Sequence, residues 1–175
     1  MNLQIIFTLF TSLTVITILQ WPSALHAQAS CQPVFDALTK VVTTPSHSYS
    51  THTMHDRATT SETIYTQGKA FIRVNGKWMT SPDGPKEILE QETENRKHGT
   101  ATCQVVRDES VNGTPATVYS LHSKAENATE EAQMWIAKRT GLPLREEMDI
   151  DVGGGNMGKS HISIRYEYGN IQPPI

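Results

Sequence analysis

The sequence predicts an α+β fold in which an antiparallel sheet is packed by two helices, and three observations predict it. Two Asn-Gly pairs, Asn75-Gly76 and Asn112-Gly113, each separate apolar segments. This pair is the preferred two-residue hairpin turn, because both of its positions need positive φ. From His161 to Tyr168, Ile162, Ile164, Tyr166 and Tyr168 alternate with His161, Ser163, Arg165 and Glu167, which is the period of a strand with one apolar face. Helical signals, by contrast, are confined to two short segments, Cys31 to Val42 and Lys86 to His98.

The chain opens with a run from Leu3 to Leu19 that contains no Asp, Glu, Lys or Arg, followed by the small-residue sequence Ala27-Gln28-Ala29. This pattern predicts a secretory signal over residues 1–29, cleaved near Ala29, and a periplasmic or secreted mature protein. An uncleaved anchor is the alternative, since the run approaches the ~18 residues of a spanning helix. What remains, Ser30 to Ile175, is a single domain's worth of chain. Its formal net charge of −3 comes with no clustered basic face, so a nucleic-acid partner is not expected. Both cysteines, Cys31 and Cys103, lie in the mature chain. An even count in an exported protein favours a disulfide, and only one pairing is possible; two unpaired buried thiols are the alternative. The bond would anchor the first helix to a central strand.

Val34, Ala37, Leu38 and Val41 fall at helical spacing, with Ser30 as N-cap and Pro33 in the first turn, and Thr43-Thr44-Pro45-Ser46 stops the helix. From His47 to Thr66 the composition turns to Ser, Thr, Tyr and His, which favours strands with much polar surface. Phe71 to Met79 forms the first hairpin, and Cys103 to His122 the second. Between them, KEILEQETENRKHG combines good helix formers, early Glu, late Arg96-Lys97-His98 and a terminating Gly99. Ile88 and Leu89 are its only large apolar residues. A helix with so thin an apolar face docks lightly and is expected to lift from the sheet as a lid.

One motif offers a nucleotide site and is set aside on context. Gly153-Gly154-Gly155-Asn156-Met157-Gly158-Lys159-Ser160 matches G-x-x-x-x-G-K-S, but a P-loop must open a helix whose N-terminus receives the phosphates. Here a strand follows, so the segment reads as a hairpin connection with Lys159 a solvated charge, and no nucleotide is expected. His47, His52 and His55 beside Asp56 invite a metal. On a strand, however, only His47 and His55 would share a face, eight residues apart, and no ligand motif accompanies them. No G-x-S-x-G elbow is present. Glu146, Glu147, Asp149 and Asp151 border the glycine loop and read as a solvated acidic face without a defined acid/base pair. Neither catalysis, a metal nor a cofactor is expected.

The block MWIAKRTGLPLREEMDI, then the glycine loop, then ISIRYEYGNIQPP resembles exported bacterial proteins of the LolA-like superfamily, which includes periplasmic outer-membrane lipoprotein carriers, mycobacterial lipid carriers and an envelope-stress sensor. Trp135-Ile136, Gly141-Leu142-Pro143, the return strand Leu144 to Val152 and the closing segment Tyr166 to Pro174 occupy the shared pattern. The resemblance implies an incomplete antiparallel β-barrel whose helices close one side over an apolar ligand cavity. A barrel too short to close leaves a groove. Trp78, Met134, Trp135 and Ile136, together with Leu142, Ile162, Ile164 and Tyr166, are the candidates to line it; core packing is the competing role for each. The implied function is non-enzymatic binding of a lipid, acyl chain or lipidated partner, with transient membrane contact during exchange. The alternative is an envelope protein-interaction or stress-sensor module with a filled core.

Overall fold

The structure is a computed structural model that describes residues 30–125, 127–153 and 158–175. The expected signal segment, the loop residues 154–157 and the side chain of Asn95 lie outside the described residues. Helix α1 (Gln32–Thr43) leads into β1 (Ser46–Met54), β2 (Arg57–Thr66), β3 (Lys69–Val74) and β4 (Lys77–Thr80). Helix α2 (Pro85–His98) then connects to β5 (Thr100–Val111), β6 (Thr114–Ala125), β7 (Ala128–Ala137), β8 (Pro143–Asp151) and β9 (Lys159–Tyr168). All nine described strands form one antiparallel sheet in the order β4-β3-β2-β1-β9-β8-β7-β6-β5. The sheet is therefore two meanders, joined where β9 returns to pair with β1.

This order makes β4 and β5 the two edges although they are neighbours in sequence. Their connection, α2, must cross one whole face of the sheet. The result is an incomplete barrel with both helices on its inner side.

Local chemistry accounts for the turns. Asn75 and Gly76 have φ of 49° and 77°, and Asn112 and Gly113 have 49° and 82°, so both expected hairpins form. Two further hairpins lack the Asn-Gly signature: His55-Asp56 (48°, 60°) and Gln67 (51°) with Gly68 (70°). His55 thus sits in the β1–β2 turn and not on a strand face, which corrects the face pairing expected with His47. At the Gly141-Leu142-Pro143 corner, Gly141 takes φ 67° and its N–H donates to the Ala137 carbonyl at 2.8 Å. Lys40 of α1 reaches the same corner through the Thr140 carbonyl at 2.8 Å.

Three clusters hold the molecule together. Val34 and Ala37 of α1 pack on Leu121, Ala132, Met134 and Ile136. Val41 and Val42 meet Tyr166, with Ile88 and Leu89 of α2 at the margin. On the outer face Ala116 and Val118 pack against Trp135. Cys31, which precedes α1, is disulfide-bonded to Cys103, and Cys103 is buried in the first cluster. The bond forms as the cysteine count predicts, but it ties α1 to the edge strand β5 and not to a central strand, because β5 has no neighbour beyond it.

Candidate functional site

Between the two helices and the inner face of the sheet lies a cavity of about 1270 Å³, larger than the ~300–1,000 Å³ of ordinary small-molecule sites. Its walls differ in character. The helical wall is apolar, with Phe35, Leu38, Val41 and Val42 from α1 and Ile88 and Leu89 from α2. The β1–β2 wall carries hydroxyls, from Ser48, Ser50, Ser61 and Thr63. The β7–β8 wall holds two carboxyls, Glu130 and Glu146, among Met148 and Ile150.

Strand parity builds this arrangement. Met134, Glu146, Ile164 and Ser50 face one another across β7, β8, β9 and β1, so all point to the same side of the sheet. Glu146 is only 4% exposed. Its Oε2 accepts a hydrogen bond from the Tyr166 hydroxyl at 2.8 Å. Burial pushes its pKa up to about 7 against the opposing effect of that bond, and Glu130 and Glu92 add to the rise. Glu130 is likewise raised, chiefly by burial. The Tyr166 hydroxyl moves up as well, through its own burial and then the adjacent carboxyl.

The eight expected groove residues divide between the two faces. Ile164 and Tyr166 line the cavity. Met134 and Ile136 face the same side but are covered by α1, while Ile162 is half-buried beside Met148 and His52. Leu142 lies in the corner, where its carbonyl accepts from the Ala137 N–H at 2.9 Å. Trp78 and Trp135 point outward. There the register runs from Trp78 and Arg73 through Tyr49 and Arg165 to Arg145 and Trp135. Arg165 stacks on Tyr49 at 4.0 Å and Arg145 on Trp135 at 4.8 Å, and the Trp135 indole N–H donates to Glu109. His47 lies 5.8 Å from the Trp78 ring and 2.9 Å from Glu62. These aromatics therefore shield the outer face of the sheet rather than the cavity.

The acidic segment also needs correcting. Glu147, Asp149 and Asp151 belong to an exposed or half-exposed rim, where His161 bridges Asp149 and Glu147 at 2.8 and 3.0 Å, but Glu146 is interior. Among the described residues no group of His, Cys, Asp or Glu side chains is placed to hold a metal ion. The strand after the glycine loop begins at Lys159, and that lysine is exposed, 4.0 Å from Asp151.

No protein-family model matches the chain, and no curated protein matches it. Solved structures match the chain at low identity and with TM-scores below 0.5. MucB is 14% identical with a TM-score of 0.45, covering 85% of this chain and 62% of that one. MucB in complex with MucA(peri) is 12% identical with a TM-score of 0.43, covering 83% of this chain and 58% of that one. LprF from Mycobacterium bovis is 9% identical with a TM-score of 0.39, covering 82% and 96%. The open nine-strand antiparallel sheet with its two helices is consistent with the half-barrel that the sequence resemblance implies. This chain spans less than two thirds of either MucB chain.

Proposed function

We propose that this chain is an exported, non-enzymatic binding protein that takes a lipid, an acyl chain or the lipid of a modified partner into the cavity between its helices and its sheet. The observation that carries this reading is the cavity itself, with its apolar helical wall and a roof formed by α2. Enclosing a chain there removes apolar surface from water at ~25 cal/mol per Å², a gain that needs no specific chemistry. Export is supported by the leader-like segment and by the disulfide, which persists in oxidising compartments. Native mass spectrometry of the protein purified from its own envelope tests the reading. A co-purifying mass that extracts as lipid is expected, and only apo protein under gentle ionisation would count against it.

A second reading, an envelope protein-interaction module, draws on the β5 edge. Among the described residues its 12 positions have no partner strand on their outer side, and Val105 and Val106 are 55% and 47% exposed. Such an edge can take an added strand. The bulge between Val105 and Arg107 interrupts it, which shortens the length available for pairing.

A further inference from the structure

The cavity's β7–β8 wall carries two carboxyls, Glu130 and Glu146, and among the described residues no cation is paired with either. Glu146 is buried at the centre of β8, and Tyr166 supplies its one hydrogen bond among the described residues, to Oε2. No lysine, arginine or histidine among the described residues pairs with it. Among those residues no fully buried side-chain oxygen lacks a partner, so Oε1, which has none, opens onto the cavity it lines. Glu130 lies on the same wall, held among the described residues by the Ser123 hydroxyl alone, at 3.4 Å. The charged and titratable groups facing this wall are few. From α2 come Glu92, Arg96 and His98, from β6 Lys124, and from β2 Tyr65. Arg96 is already engaged, 3.2 Å from Glu92 and stacked on Phe35 at 4.2 Å.

A buried carboxyl with a free oxygen is costly unless something pairs with it. The group that satisfies it is a cation carrying N–H donors. Once Glu146 is ionised, a fatty-acid carboxylate at the same place would instead add a further negative charge to a low-dielectric wall. The chamber's other wall, six apolar side chains on two helices, takes a hydrocarbon chain.

Resting on the cavity-binding reading above, we propose that the occupant is a single-chain cationic amphiphile, its ammonium seated between Glu146 and Glu130 and its chain laid against α1 and α2. Binding then depends on pH with a definite sign. With the Glu146 pKa at about 7 in the empty protein, the site is partly protonated near neutrality. A bound cation favours the ionised carboxyl, so affinity rises with pH through that range.

Calorimetric titration with decylammonium, decanoate and decanol, each below its micellar concentration, tests this at about pH 6 and about pH 8. Decylammonium is expected to bind at least ~10-fold tighter than decanoate at the higher pH, with the gap narrowing at the lower. Methylammonium, which has the charge without the chain, is expected to bind far more weakly than decylammonium. Glu146→Gln keeps an acceptor for Tyr166 and is expected to lose both the preference and its pH dependence; if that variant does not fold, the wild-type pH series decides by itself. Decanoate binding as tightly as decylammonium, alongside measurable decanol binding, overturns the cation assignment while leaving the cavity reading intact. Failure of all three chains to bind removes the cavity reading itself. Methylammonium binding as well as decylammonium overturns the amphiphile.

Discussion

Glu146 sets the behaviour of the molecule at the scale of one residue. Its folded pKa of about 7 lies above the ordinary value of 4.5, so between those values the folded state holds a proton that the unfolded chain has released. Stability contributed by the protonated carboxyl is therefore full below pH ~4.5, falls as pH rises toward ~7 and is level above, a loss of about 3 kcal/mol. His161 acts in the same direction, since Asp149 and then Glu147 raise its pKa, but it is half exposed and screened. Urea unfolding of wild type and Glu146→Gln at about pH 5 and about pH 8 separates the two. The variant is expected to lack most of the decline, and parallel declines in both proteins would assign the pH dependence elsewhere. This residue was legible in principle. Glu146, Met148 and Ile150 share one strand parity, so a carboxyl on an apolar face was there to be read, but four acids within six positions beside a glycine loop resemble a solvated rim, and three of the four are one.

At the scale of elements, the turns and helices were written in local chemistry and the faces of the strands were not. Asn-Gly pairs and the Gly141 corner demand positive φ and so announce themselves. His55-Asp56 adopts the same conformation without the usual residues and hid a hairpin. The outward placement of Trp78 and Trp135 was equally hidden. In Met134-Trp135-Ile136-Ala137 every position is buried, and a run that is apolar on both parities cannot say which parity faces the helices. Helix α2 is as lightly docked as its composition indicates: Ile88 and Leu89 are only half-buried, and even full burial of both would contribute at most about 3–6 kcal/mol. Its ion pairs, Lys86–Glu90, Arg96–Glu92 and Lys97–Glu94, support the helix by tenths of a kcal/mol each and do little to fix it to the sheet. Hydrogen exchange is expected to find residues 85–98 less protected than 132–137 and 161–168, with protection of α2 rising when decylammonium is added. Equal protection in all three segments, unmoved by the amphiphile, would make α2 ordinary core packing and leave the cavity without a lid.

At the scale of the whole molecule, the β1–β9 pairing joins the two meanders, and α2 is the chain connection that runs between the sheet's two edges. The Cys31–Cys103 bond spans 72 positions in sequence and fixes the start of α1 to the β5 edge, a tie that would persist if α2 lifts. Closing a loop of that length removes freedom mainly from the unfolded chain, about 4 kcal/mol on the chain-entropy view. Packing changes little on reduction, because Cys103 is 1% exposed within an apolar cluster and a thiol there remains a small apolar group. Guanidinium unfolding of reduced against oxidised protein measures where the bond acts. The midpoint is expected to fall by an amount equivalent to a few kcal/mol, and the slope m to rise, because the unlinked chain exposes more surface when it unfolds. A lower midpoint with an unchanged slope would place the loss in the native state, through release of α1 from β5, and hydrogen exchange in residues 32–43 would then rise on reduction. An unchanged midpoint would mean that the helices hold the open barrel together without the bond, and that the β5 edge needs no tether for α2 to open.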